Sequence, residues 1–214
     1  MNFRKLEAKE CRLIIMRHGT NGEYRDSRPK DTICDESYEQ AFKFGFKLRA
    51  GGIKLDEVVM SPRGRAVKAA FACAEGNSKV GESLPSFRTD ERMRDGSNDK
   101  PEIVAIVKAY AEKKGIGSEQ ACVECPDPEV RGYILKRAEE HAALWRVLAR
   151  WNTGQTILAC GHGGLIEPGI LLLKNPETPS LPQAGQPIQY LEMGGAVELI
   201  LTSAGELVEE NYLR

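Results

Sequence analysis

No stretch of the chain approaches the roughly 18 consecutive apolar residues that a membrane-spanning helix requires. The charged opening, Met1 to Glu10, also lacks the apolar core of a secretion signal. A soluble, cytoplasmic protein with no membrane partner is expected. Neither charge is in excess, with 30 Lys+Arg against 31 Asp+Glu and a formal net charge of -1. The electrostatic footprint of a nucleic-acid binder is therefore missing, and any basic site must be local. Cysteines at positions 11, 34, 73, 122, 125 and 160 are too scattered for a disulfide framework, which fits a reducing compartment. Cys122-Val-Glu-Cys125 has C-x-x-C spacing, but no second pair or local histidine follows to complete a zinc site. Two ordinary thiols are expected there. Histidine is scarce, with three in 214 residues.

Two of those three follow the same kind of string. Leu13-Ile14-Ile15-Met16 runs into Arg17-His18-Gly19, and Thr156-Ile157-Leu158-Ala159-Cys160 runs into Gly161-His162-Gly163. Compact apolar runs ending in a glycine-containing polar string read as buried parallel strands followed by tight turns. Ligands of open α/β sheets bind at the carboxyl ends of such strands, so His18 and His162 are expected at one edge of one sheet.

The remaining pattern alternates strand and helix. A polar loop, Thr20 to Ile33, carries Arg25, Arg28 and Lys30, and a helix opens near Asp35 with Tyr38, Ala41, Phe44 and Leu48 on its apolar face. Gly51-Gly52 ends it. A strand over Glu57–Met60 leads to Ser61-Pro62, which reads as an N-cap and first helical position for a helix over Arg63 to Ala74. A third strand at Ser86–Thr89, a helix from Pro101 to about Lys114, an irregular excursion over Gly115–Pro128 and a long amphipathic helix from Glu129 to Trp151 follow. His141 lies on that helix's apolar stripe and reads as a core histidine. A helix over Leu165–Leu173, a Pro-rich loop over Asn175–Pro187 and a hairpin of Ala196–Leu201 with Glu206–Leu213 complete the chain. The expected architecture is a three-layer α/β/α sandwich with a mostly parallel central sheet and antiparallel edge strands. One domain over residues 1–214 with an insertion at about 96–128 fits the length, and an exposed edge strand offers a surface for a homodimer.

The chemistry follows from what the strand ends carry. The helix opening after Ser61 presents free N–H groups and a positive dipole end to an anion, and Arg63 and Arg65 can each supply a forked donor to phosphate oxygens. Guanidinia beside both histidines oppose a bound cation, and Gly161-His162-Gly163-Gly164 lacks the serine of a nucleophile elbow. A histidine nucleophile among cationic donors for a phosphoryl group remains. No metal and no other cofactor is called for.

Arg17-His18-Gly19, then Ser61-Pro62-Arg63-Gly64-Arg65-Ala66 with Ala69-Ala70, then Gly161-His162-Gly163, together resemble the histidine phosphatase (phosphoglycerate-mutase-like) superfamily over about residues 12–173. The resemblance implies His18 as the nucleophile that becomes phosphohistidine and Arg17 as a phosphate clamp. It places Arg65, not Arg63, on the family arginine and His162 on the second histidine, with Asn21 and Gly163 adding donors to the phosphate. Met93-Arg94-Asp95 matches the family's leucine-x-acid pattern, so Asp95 is the implied proton donor and Glu91 the runner-up. Glu23 and Tyr24 stand where many members have Trp-Asn, and Gly96-Ser97-Asn98-Asp99-Lys100 replaces a usual G-x-W-x-G. These departures favour a metal-independent phosphomonoester hydrolase over a phosphoglycerate-type mutase. The substrate is a small phosphorylated metabolite or a phosphoprotein. A non-catalytic relative that binds phosphoprotein is the alternative outside enzymology.

Overall fold

The computed structural model describes residues 1, 3–19, 33–95, 100–177, 180–182 and 188–213. Its centre is β1 (Glu10–Arg17), eight buried residues whose alternate side chains enter two different cores, as the pleat of a strand dictates. Cys11, Leu13 and Ile15 point to one face of the sheet, and Ile14 and Met16 to the other. The strand order is β3-β2-β4-β1-β5-β6. The first four of these, β3 (Ser86–Thr89), β2 (Glu57–Met60), β4 (Thr156–Gly161) and β1, run parallel. β5 (Ala196–Thr202) is antiparallel to β1, and β6 (Leu207–Leu213) is antiparallel to β5. The mostly parallel sheet with antiparallel pairing at one side is the architecture expected from the sequence.

Helices α1 (Asp35–Ala50) and α2 (Gly64–Asn77) cover one face through Ala41, Phe44, Leu48, Ala66, Ala70 and Cys73. They approach closely because Gly45 and Gly76 leave no room for a side chain, each Cβ position lying within about 2 Å of the facing helix's carbonyl oxygen. Helices α5 (Pro128–Trp151) and α6 (Ile166–Lys174) cover the other face with Ala138, Trp145, Leu148, Ile166 and Ile170. A third core forms beside the sheet, where α3 (Pro101–Lys114) and α4 (Ser118–Glu124) pack Ile103, Val107 and Ala121 on Val130 and Ile134 of α5. Among the described residues, no helix is long and apolar enough to cross a membrane.

Four expectations need correction. The helix after β2 begins at Gly64 with Arg63 as its cap, so Ser61-Pro62 lies before it; the serine is held elsewhere, as described below. Tyr38 is not on the buried face of α1: it is 40% exposed and donates its hydroxyl to Glu75 at 2.6 Å. Ser37 is buried instead, because the chain around Gly19 passes against it. The 115–128 excursion contains α4. The helix after β4 starts at Ile166 and carries Pro168 within its first turn, where the missing N–H costs nothing. The Thr20–Ile33 loop, apart from Ile33, and parts of the Pro-rich loop lie outside the described residues.

Candidate active site

Because β1, β4 and β2 are parallel neighbours, their carboxyl ends fall level, with Arg17 opposite Gly161 and Met60 opposite Cys160. The next residues in each chain segment are His18, His162 and Ser61, so the sheet register alone brings them together. The His18 backbone is fixed on both sides: its N–H donates to Gly161 at 3.2 Å and its carbonyl accepts from Gly194 at 3.4 Å. Gly19 follows because nothing larger fits. A Cβ there would lie 2.4 Å from that of Ser37 on α1.

His18 is 7% exposed, and its Nδ1 lies 2.7 Å from the Gly19 carbonyl oxygen. A carbonyl only accepts, so Nδ1 carries the proton and Nε2 keeps its lone pair. Burial pushes the pKa of His18 down to about 4, and the charges of Arg65 and Arg17 act in the same direction against the Gly19 hydrogen bond and Asp95. The ring is therefore neutral near pH 7, with a nucleophilic Nε2. The His162 ring stands edge-on to it, centroids 4.9 Å apart at 68°. His162 is held by Ser61, 0% exposed, whose Oγ is 2.9 Å from Nε2. Burial and then the neighbouring His18 hold the pKa of His162 well below its ordinary value. The Ser61 Oγ also accepts the Arg63 N–H at 3.3 Å, just ahead of α2, whose cap is Arg63.

Arg17 and Arg65 flank the pair. Arg17 donates through Nη1 to the Leu191 carbonyl at 2.8 Å and through Nη2 to Glu119 of α4 at 2.5 Å. Arg65 donates through Nη2 to Asp95, and the same nitrogen lies 3.5 Å from Nδ1 of His162. The Nε groups of both arginines are buried and, among the described residues, have no acceptor. Two orphaned guanidinium N–H donors beside a neutral histidine require an explanation, and they have the geometry and charge to receive an oxyanion.

The sequence-derived residues are thus brought together, with one exception and one difference in role. Arg17, His18, Arg65, His162, Gly163 and Asp95 converge; Asn21 lies outside the described residues. A Cβ on Gly163 would meet the Arg17 Nε at 2.7 Å, so its lack of a side chain lets the guanidinium lie flat against the turn. Asp95 accepts from Arg63 at 3.1 and 3.2 Å as well as from Arg65. It stands as a counter-ion to two arginines, Arg63 and Arg65. Glu91 is 74% exposed at its side chain and pairs loosely with Arg94 at 3.5 Å, away from this cluster.

Two participants escaped the sequence reading. Glu167, 2% exposed on α6, accepts the Gly164 N–H at 2.7 Å and the Leu191 N–H at 3.0 Å; burial raises its pKa. It ties the turn after His162 to Leu191, the residue whose carbonyl fixes Arg17. Its local signal was present, since an acid three residues beyond Gly164 at a helix start is a reach-back cap. Glu119 had no such signal, because its contact with Arg17 spans 102 residues.

No protein-family model and no curated protein matches the sequence. Solved structures do match. A phosphoglycerate mutase from Bacillus anthracis str. Sterne superposes with a TM-score of 0.62 at 15% identity, over 96% of this chain and 93% of that one. A phosphoserine phosphatase from Entamoeba histolytica, in complex with 3-phosphoglyceric acid, gives 0.56 at 17% identity over 95% and 97%. A mycobacterial glucosyl-3-phosphoglycerate phosphatase gives 0.57 at 16% over 95% and 97%. The chain has the phosphoglycerate-mutase-like fold.

Proposed function

We propose that the chain, acting as one domain, is a metal-independent phosphomonoester hydrolase that works through a phosphohistidine on His18. The observation that carries this reading is the neutral His18, its Nδ1 proton committed to Gly19, facing two buried guanidinium N–H groups that have no acceptor among the described residues. Bound phosphate takes up those donors. Nε2 of His18 then attacks phosphorus in line, forming the P–N bond as the P–O bond to the leaving group breaks. As Arg65 turns from Asp95 to the phosphoryl oxygens, the freed Asp95 carboxylate takes up a proton from solvent and delivers it to the leaving oxygen. His162, neutral in the free site, gains a proton as the dianion binds beside it and donates through Nδ1. In the second step water attacks phosphorus, Asp95 takes its proton, and the P–N bond breaks to restore His18.

The structural neighbours include both phosphatases and a mutase, so one experiment separates the outcomes. Purified protein is mixed with p-nitrophenyl phosphate, with and without EDTA, and quenched samples are assayed for acid-labile, base-stable phosphate on protein. Phosphate release insensitive to EDTA, with a phosphoenzyme lost in His18→Ala, is expected. His162→Ala should form the same intermediate more slowly. Interconversion of phosphoglycerate isomers without free phosphate identifies a mutase. Tight phosphopeptide binding with no phosphoenzyme identifies a non-catalytic binding protein.

A further inference from the structure

A cavity of about 680 Å³ lies between α1 and the 189–196 segment and touches none of the converging side chains. A smaller one does. A cavity of about 160 Å³ opens between α3, α4 and α5, walled by Val104, Val107, Cys122, Ile134 and Leu165, and bounded at one end by Asp95 and Gly163. Both of those residues also face the phosphate gap: Asp95 through Arg65, and Gly163 through its contact with Arg17. The cavity therefore begins where a phosphate held by the arginines would end. Polar groups at one end and an apolar lining elsewhere is the anatomy of a site that orients a small molecule.

We infer that this cavity is the leaving-group subsite and that it takes one compact apolar ring, so the substrates are phosphate monoesters of ring-bearing alcohols. Size supports a single ring, since an apolar protein cavity of about 150 Å³ holds one benzene molecule. Position supports the leaving group and not the phosphate: none of Arg17, His18, Arg65 and His162 lines the cavity, and Tyr133, which does, donates its hydroxyl to the Asp95 backbone carbonyl at 3.4 Å. The exposed Lys100 and Lys108 complete the wall toward solvent. A ring enters with its ester oxygen beside Asp95, where the proposed proton transfer takes place.

The inference rests on the phosphatase reading, and its test separates the two. Benzyl phosphate and ethyl phosphate are both primary alkyl esters, so their leaving oxygens are alike and the ring is the main difference. We expect kcat/KM to favour benzyl phosphate about 10- to 100-fold, the range that apolar pocket contacts support. Val107→Phe, and independently Cys122→Leu should the first variant fold poorly, fill the cavity and should bring the ratio toward one. Benzylphosphonate should bind the wild type more tightly than methylphosphonate by calorimetry, a measurement that needs no turnover. Equal kcat/KM for the two esters, a ratio indifferent to both variants, or equal phosphonate affinities would overturn the subsite while leaving the hydrolase intact. Preferential benzylphosphonate binding without turnover of either ester or any phosphoenzyme would support the subsite and overturn the hydrolase.

Discussion

Substituting alanine for Gly163 tests whether the catalytic geometry depends on where Arg17 lies. Gly163 is not among the described glycines with positive φ, so alanine suits its backbone and the only penalty is spatial. The new Cβ would sit 2.7 Å from Nε of Arg17, 2.8 Å from Cζ and 3.0 Å from Cδ. Ordinary contact begins at 3.4 Å, so the guanidinium must retreat by about 0.7 Å. It cannot do so freely, because Nη1 is held by the Leu191 carbonyl and Nη2 by Glu119. A misplacement of about 1 Å can cost on the order of 100-fold in rate, so the expected loss in kcat/KM for p-nitrophenyl phosphate is about 10- to 100-fold, or about 1.4 to 2.7 kcal/mol. The vanadate inhibition constant should rise in parallel, while the thermal midpoint moves by no more than a few degrees. Gly164→Ala is the contrast: with φ at +79°, it should lower stability through backbone strain. If Gly163→Ala kept kcat/KM within about twofold of the wild type in a normally folded protein, Arg17 would not be the phosphate clamp.

Three further outcomes follow from the same geometry. Burial holds both His18 and His141 at about 4, against 6.5 when unfolded. The unfolded chain thus binds more protons between those pH values, and stability falls as pH drops from about 6.5 toward 4. Each histidine contributes about 3 kcal/mol to that fall; His141→Phe should remove its share from the difference in unfolding free energy between pH 7 and pH 4, measured by urea denaturation, and an unchanged difference would refute the assignment. Glu167→Gln can offer only one acceptor oxygen to the Gly164 and Leu191 N–H groups, which should cost about 1 to 3 kcal/mol of stability. It should also raise KM by loosening the peptide that fixes Arg17, whereas an unaltered KM would mean that this link does not reach the clamp. Glu119→Gln takes a carboxylate off Arg17 and should tighten inhibition by inorganic phosphate; weaker inhibition would show that Glu119 orients the guanidinium and does not compete with phosphate.

The chain's chemistry was legible where one short string decides both burial and turn. Leu13 to Met16 and Thr156 to Cys160 are continuous apolar runs because both faces of their strands are covered, and a continuous run ending in glycine leaves little choice about where the next histidine goes. β2 matched its expected bounds for the same reason, whereas β3 matched although most of its residues are exposed. The start of α2 was misread because Ser61-Pro62 satisfies a local capping pattern, while the structure uses the serine hydroxyl across the sheet on His162. The same Oγ accepts the Arg63 N–H at 3.3 Å, so the serine makes both a tertiary and a local hydrogen bond, and the local one lies ahead of the first helical residue. Asp95 was found through a family pattern, but its two arginine partners depend on how the segment after β3 folds back over α2. Glu119 could not be found at all by periodicity, since its position facing Arg17 is set by the packing of α4 onto α5.

Helix α5 belongs to two cores at once. Val130 and Ile134 pack with α3 and α4, and Ala138 through Ala149 pack under the sheet. It is one uninterrupted rod of 24 residues, so the two ends share a reading frame. Inserting a single residue near its middle would advance one end by about 1.5 Å and swing it by about 100° relative to the other. The lining supplied by Ile134 would then leave the small cavity while the sheet core stayed in register. A substitution at one lining position changes the cavity locally, but a change in the length of the rod between its two halves displaces the whole wall that α5 supplies.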